Sequence, residues 1–146
     1  MLKIILETPS KIFLFGSPDE KNLISYIRSQ CPDCHVATSL TLGVVASIFR
    51  RCSLFIGNDS GPLHIASAMK IPTLSFYGPT NPKDWAPPDS NNVALYKQVE
   101  CSPCYNHGRF PPCDHLTCLR SITVDEAWKE VEKHLQPTGF NSAISS

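Results

Sequence analysis

The sequence predicts an α/β fold with a parallel sheet, on three observations. Short apolar runs recur along the chain, a helix start follows most of them, and Gly, Pro, Asn and Asp mark the junctions. Lys11-Ile12-Phe13-Leu14-Phe15-Gly16 is too short and too evenly apolar for an amphipathic helix and predicts a buried strand. In Ser17-Pro18-Asp19-Glu20, Ser17 can cap, Pro18 suits a first helical position and Glu20 can reach back to close a capping box, so a helix is expected from Pro18 to Ser29. Leu23, Ile24 and Ile27 make its apolar face.

A turn at Cys31-Pro32-Asp33-Cys34 leads to a short strand at His35-Val36-Ala37, and Thr41 to Arg51 reads as a second helix. Ser53-Leu54-Phe55-Ile56-Gly57 predicts a strand, Pro62 to Met69 a small-residue helix, and Thr73-Leu74-Ser75-Phe76-Tyr77 another strand. After Gly78 the prolines 79, 82, 87 and 88 deny the backbone regular hydrogen bonding, which predicts a long functional loop. Val93 to Tyr96 is a last strand and Cys101 to Cys118 an irregular Cys/His/Pro segment. Thr123-Val124-Asp125-Glu126 is a second capping box, opening a helix to Leu135 with Ala127, Trp128, Val131 and Leu135 in one stripe. Residues 1–135 are expected to form one domain, and 136–146 a frayed tail.

Composition narrows the function. Of 146 residues 42% are hydrophobic and 18% charged, against about 25% charged in typical domains, and Lys+Arg balances Asp+Glu at 13 each. That balance argues against disorder and against a nucleic-acid partner. No apolar run approaches the roughly 20 residues that span a bilayer, and charge interrupts Met1 to Glu7 too early for a signal peptide. A cytoplasmic protein is expected, with peripheral attachment at the inner membrane as a variant of that reading.

The sharpest feature is Gly57-Asn58-Asp59-Ser60-Gly61-Pro62-Leu63-His64, where a predicted strand ends and a helix begins. Open-sheet α/β proteins bind ligands at such junctions, and a helix start offers unpaired N–H groups and about half a positive charge to a phosphate. Gly61 lets the backbone approach closely, and Pro62 gives up only an N–H that would be unpaired anyway. The same tetrapeptide also suits an ordinary Asp/Ser helix cap.

Asp59-Ser60-Gly61-Pro62-Leu63-His64-Ile65-Ala66, then Pro72-Thr73, then Tyr77-Gly78-Pro79-Thr80-Asn81-Pro82, Trp85 and Pro87 resemble the signature of glycosyltransferase family 9, the ADP-heptose:lipopolysaccharide heptosyltransferases. The resemblance runs from Lys11 through Cys101-Ser102-Pro103-Cys104 and Cys118-Leu119 to the last helix. It implies a parallel Rossmann-like sheet that is part of the C-terminal, donor-binding half of a two-domain GT-B fold. It also implies donor contacts: the Ser60 and Gly61 amides on the diphosphate, Asp59 near the sugar hydroxyls, Glu20 on the ribose and Leu40 beside the adenine, with His64 facing the phosphates. Each has a plainer role beside it: Glu20 in the capping box, Leu40 in the core, His64 as a buried histidine held by a carbonyl.

In the family the catalytic base is an acid of the N-terminal domain, and a Lys with nearby hydroxyls on an earlier strand holds the phosphates. Neither has a counterpart here, and Met1 to Glu7 resembles the end of a helix whose strand would precede it. No catalytic residue is therefore assigned, and the chain alone is expected to be inactive. The implied partners are a nucleotide-sugar donor, a lipid-linked saccharide acceptor held through the other domain, and a complementing N-terminal half. The donor is a substrate, so no organic cofactor is expected.

Seven cysteines in a cytosolic chain suggest thiols or a metal rather than a disulfide framework. Cys101-x2-Cys104-x8-Cys113-x4-Cys118 can place four thiolates about one tetrahedral ion, for which zinc is the natural candidate, with His107 and His115 as substitute ligands. Free thiols or reversible disulfides are the alternative. Cys31-x2-Cys34 follows a helix rather than opening one, unlike a redox motif, and reads as a turn. Two other functions remain open: a non-catalytic nucleotide- or phosphate-binding module, and a zinc-stabilised interaction domain working through Cys101 to Cys118.

Overall fold

A computed structural model of the chain describes residues 10–106 and 108–135, so Met1 to Glu7, His107 and the tail 136–146 lie outside the described residues. The chain divides into two compact units at Ser47.

The first unit pairs β1 (Phe13–Gly16) with β2 (His35–Thr38) in parallel, Phe13 opposite His35 and Gly16 opposite Thr38. Between them run a 3-10 turn, Pro18–Glu20, and α1 (Lys21–Gln30), which packs on β1. The predicted helix thus begins as a tighter turn. The Glu20 N–H donates to the Ser17 carbonyl three residues back at 3.1 Å, and the Glu20 carboxylate accepts both the N–H and the hydroxyl of Ser17, at 2.7 and 2.9 Å. The strand expected to be buried is not: Phe13 is 41% exposed, and Leu14 and Phe15 are half-buried. Leu23, assigned to the apolar face of α1, is 55% exposed, whereas Ile24 and Ile27 are half-buried.

Cys31 and Cys34 form a disulfide, which corrects the expectation of free thiols at these two positions. The cause is local. Cys31 caps the end of α1, and the Cys34 N–H donates to its carbonyl at 3.1 Å, closing a turn with the Cα atoms 5.5 Å apart, within the span a disulfide bridges. The expected turn is present.

α2 (Leu42–Phe49) leads into the second unit, whose sheet has the order β3 (Phe55–Asn58), β4 (Thr73–Tyr77), β5 (Asn92–Tyr96), all parallel. α3 (Gly61–Ala68) packs on β3 and β4. Leu63 and Ala66 on α3 are fully buried, as is Leu74 on β4. β4 is the core strand, and its alternate residues Thr73, Ser75 and Tyr77 are buried too. Two of these polar groups are paired. Thr73 donates to Asn92 Oδ1 at 2.6 Å, Asn92 in turn to Ser67 of α3, and Ser75 to the Val93 carbonyl.

The proline-rich stretch after β4 contains a short helix, α4 (Pro82–Trp85), capped by Asn81. The Cys-rich segment ends in another, α5 (Thr117–Arg120), and the second capping box opens α6 (Val124–Leu135) as expected. Ala127 and Val131 of its stripe are buried and Trp128 is half-buried; α5 and α6 pack on β4. Among the described residues no helix is long and apolar enough to cross a membrane.

Candidate functional site

β3 ends at Asn58 and α3 starts at Gly61, so Asp59 and Ser60 form the whole connection. A parallel sheet feeding a helix through two residues brings the helix start to the carboxyl edge of the strands, where α/β folds bind ligands. Ser60 is the N-cap in extended backbone, and Pro62 occupies the first turn. The ordinary capping role does not hold here. The Ser60 hydroxyl donates backward to the Asn58 carbonyl at 3.2 Å, and no side chain accepts from the helix. The Leu63 N–H donates to the Ser60 carbonyl at 3.0 Å and Pro62 has no N–H, so the Ser60 and Gly61 N–H groups are the ones at the helix start with capacity for an anion.

Gly61 is exposed, and a Cβ added there would meet nothing within 4 Å. Among the described residues no packing contact requires glycine at this position. Asp59 is half-buried. Its carboxylate bears on Tyr77 at the end of β4, whose hydroxyl is buried without a hydrogen-bond partner among the described residues. Burial pushes the Tyr77 pKa up; the nearby Ser75 hydroxyl opposes this, and the Asp59 charge adds to it. Tyr77 is a site neighbour that the sequence reading passed over, because a tyrosine in an apolar strand reads as core.

The other assigned residues divide between the units. Asp59, Ser60, Gly61 and His64 belong to one stretch of the second unit, while Glu20 and Leu40 belong to the first. His64 is exposed on α3, which corrects its reading as a buried histidine. Leu40 is 38% exposed, which overturns its core role. The Glu20 carboxylate is engaged by Ser17, first through the backbone N–H and then through the hydroxyl, and this holds its pKa below the usual carboxylate range. Its capping role is therefore present.

The motifs after β4 and β5 are stitched together. The Pro79 carbonyl accepts the N–H groups of both Cys104 and Tyr105, at 2.9 and 2.8 Å, and the Ser102 hydroxyl donates to the Gly78 carbonyl. Trp85 packs edge-on against Tyr105, with ring centroids 5.6 Å apart. Tyr77-Gly78-Pro79 and Cys101-Ser102-Pro103-Cys104, 24 residues apart at Gly78 and Ser102, thus build one loop cluster beyond the strand ends.

Comparison with known proteins gives the family and the fold. The family model described as glycosyltransferase family 9 (heptosyltransferase) matches residues 1–112. The chain belongs to glycosyltransferase family 9. Lipooligosaccharide heptosyltransferase 2 of Campylobacter jejuni is 33% identical over 104 residues, covering 70% of this chain and 32% of that protein. The crystal structure of a glycosyl transferase family 9 protein from Veillonella parvula matches 90% of this chain and 38% of its own at a TM-score of 0.72 and 26% identity. Escherichia coli ADP-heptose lps heptosyltransferase II has the same fold, at a TM-score of 0.71 and 21% identity over 91% of this chain and 38% of its own. The fold class is therefore the expected one, an α/β portion of a GT-B glycosyltransferase. This family 9 chain spans about a third of the length of the curated relatives it matches.

Of the four cysteines assigned to a metal in this family 9 chain, Cys118 is buried, Cys104 half-buried, and Cys101 and Cys113 exposed; all four are free thiols. Burial pushes the Cys104 thiol up, and the Cys118, Cys101 and Cys113 sulfurs add to the push. Among the described residues no three His, Cys, Asp or Glu side chains stand in metal-holding range. His115 is turned toward Thr117, whose N–H donates to its Nδ1 at 3.3 Å, and His107 lies outside the described residues.

Proposed function

We propose that this chain is the donor-binding part of a heptosyltransferase of lipopolysaccharide core biosynthesis. In this reading the start of α3 receives the diphosphate of an ADP-heptose-type nucleotide sugar. The observation that carries the reading is the uncapped helix start at Ser60 and Gly61, with open space where a Gly61 side chain would stand. Two backbone N–H groups and the helix dipole stabilise the charge that grows on the nucleoside diphosphate as the sugar leaves. Asp59 reaches the sugar hydroxyls. The chain works with a complementing N-terminal half that supplies the acidic base and holds the lipid-linked acceptor. Without that half it binds donor but does not transfer, because deprotonation of the acceptor and stabilisation of the leaving group are both required. It acts in the cytoplasm, against the face of the inner membrane.

Calorimetry with ADP and AMP on the full chain tests this. ADP is expected to bind weakly and AMP more weakly still, and Gly61→Val to lose the ADP heat. Among the described residues a Cβ at position 61 meets nothing within 4 Å beyond its chain neighbours and its own helix backbone, so the variant is expected to keep the fold and block only the ligand. Equal affinity for ADP and AMP, or no heat with either, overturns the diphosphate role. ADP binding with no transfer after the other half is added favours a non-catalytic nucleotide-binding module.

A further inference from the structure

We propose that Cys31 and Cys34 are a thiol–disulfide exchange site, with a small disulfide such as oxidised glutathione as co-reactant, and that the bond they form holds the first unit in order. Among the described residues of that unit, Cys31 and Cys34 are the only buried ones, 1% and 4% exposed. No residue of α1 is buried, and those of β1 and β2 are half-buried or exposed. A bonded sulfur pair thus stands where a larger domain keeps its apolar core. Units that bury too little apolar surface to order themselves depend on such a cross-link. The other five cysteines are free thiols, so this turn is where the chain holds its disulfide.

The pair also sits where helix meets sheet. The Cys31 N–H donates to the Ile27 and Arg28 carbonyls, at 3.0 and 3.1 Å, and so carries the last hydrogen bonds of α1. Beyond the turn the His35 N–H donates to the Ile12 carbonyl at 2.8 Å, where the β1–β2 ladder begins. Reduction forces the two sulfurs apart, from bonding to van der Waals distance, at the spot this unit packs most tightly, and the displacement falls on both ends of the turn. With no other described residue buried, α1 and β2 lose their fastening together, and the same scarcity of burial lets the turn open to a co-reactant. In the oxidising direction one cysteine thiolate attacks the small disulfide and expels one small thiolate. The second cysteine thiolate then attacks the cysteine sulfur of the mixed disulfide, closes the Cys31–Cys34 bond and expels the other. The two cysteine protons end on the two small thiols. Reducing compartments keep such a pair as thiols, so the ordered form is the response to an oxidising shift.

The test uses the full chain, equilibrated in glutathione buffers from fully reduced to mainly oxidised. Alkylation followed by mass spectrometry should find Cys31 and Cys34 both modified at the reduced end and both protected at the oxidised end. Hydrogen exchange on the same samples reads the fold. Amides of residues 21–38 should exchange several-fold faster in the reduced form, while those of β3, β4 and β5 keep their rates. Cys34→Ala should show the fast rates in every buffer, and Cys52→Ser the full redox response. Equal exchange of residues 21–38 in the two forms overturns the proposal, as does a pair that stays reduced in the oxidised buffer. A redox change spread equally over the second unit also overturns it, since that places the sensitive thiols elsewhere.

Discussion

Gly78 and Leu119 meet so closely that a Cβ on Gly78 would lie 2.7 Å from Leu119 Cγ, inside any contact real Cβ atoms make. The glycine at the end of β4 is thus held by α5, a helix 39 residues further on, and not by turn geometry. Its neighbour Pro79 carries the Cys104 and Tyr105 hydrogen bonds, so the contact seats the whole loop cluster.

Gly78→Ala should therefore destabilise the second unit by about 1–3 kcal/mol, the usual cost of overpacking a filled site. The urea midpoint reads this. Leu119→Ala added to it should recover part of the loss, because removing the Leu119 side chain opens the space the methyl needs. Equal stability of Gly78→Ala and the parent would show that α5 does not press on Gly78.

Glu126 makes the first turn of α6 sensitive to acid. Lys97 pairs with its carboxylate, and the Thr123 N–H and hydroxyl donate to it; together they hold its pKa down from 4.5 to about 2. A carboxyl with a lowered folded pKa stabilises fully above its unfolded pKa and loses that contribution as pH falls through the folded one. The advantage of the parent over Glu126→Gln should thus be steady above about pH 4.5 and shrink toward pH 2. Thermal unfolding across that window measures it, and added salt should reduce the Lys97 share. A difference that does not change with pH would remove the ion pair from the account.

Tyr77 is fully buried, and among the described residues its hydroxyl meets no hydrogen-bond partner of good geometry, the Ser75 hydroxyl being only nearby. Leaving a buried donor unpaired is costly, so Tyr77→Phe should be neutral or stabilising by about 1 kcal/mol, contrary to the usual result for a core substitution. Thermal unfolding of the free chain decides the sign. If ADP binding to the parent restores its stability to that of the variant, the hydroxyl finds its partner in the bound state. Destabilisation of the free variant would show that the hydroxyl is paired after all.

What the sequence by itself determined is local. The capping boxes Ser17/Glu20 and Thr123/Glu126 each close within three residues, and the strands expected at 73–77 and 93–96 are marked by composition and bounding turns, the second beginning one residue earlier, at Asn92. The two-residue step from β3 to α3 was legible as well, because Asp59-Ser60-Gly61-Pro62 admits few other conformations after an apolar strand.

Burial, by contrast, belongs to the assembled chain. Phe13, Leu23 and Leu40 are apolar and were expected inside, yet all three are largely exposed, since a residue's neighbours depend on what the rest of the chain lays over it. Which of its two local options Ser60 takes, donating back to the Asn58 carbonyl or capping the helix, only the folded structure shows. Tertiary structure alone brought Cys104 and Cys118 to the Gly78-Pro79 dipeptide. The approaches of Cys104 and Cys118 to that dipeptide span tens of residues, where spacing carries no signal and the packing of α5 on β4 sets the distance.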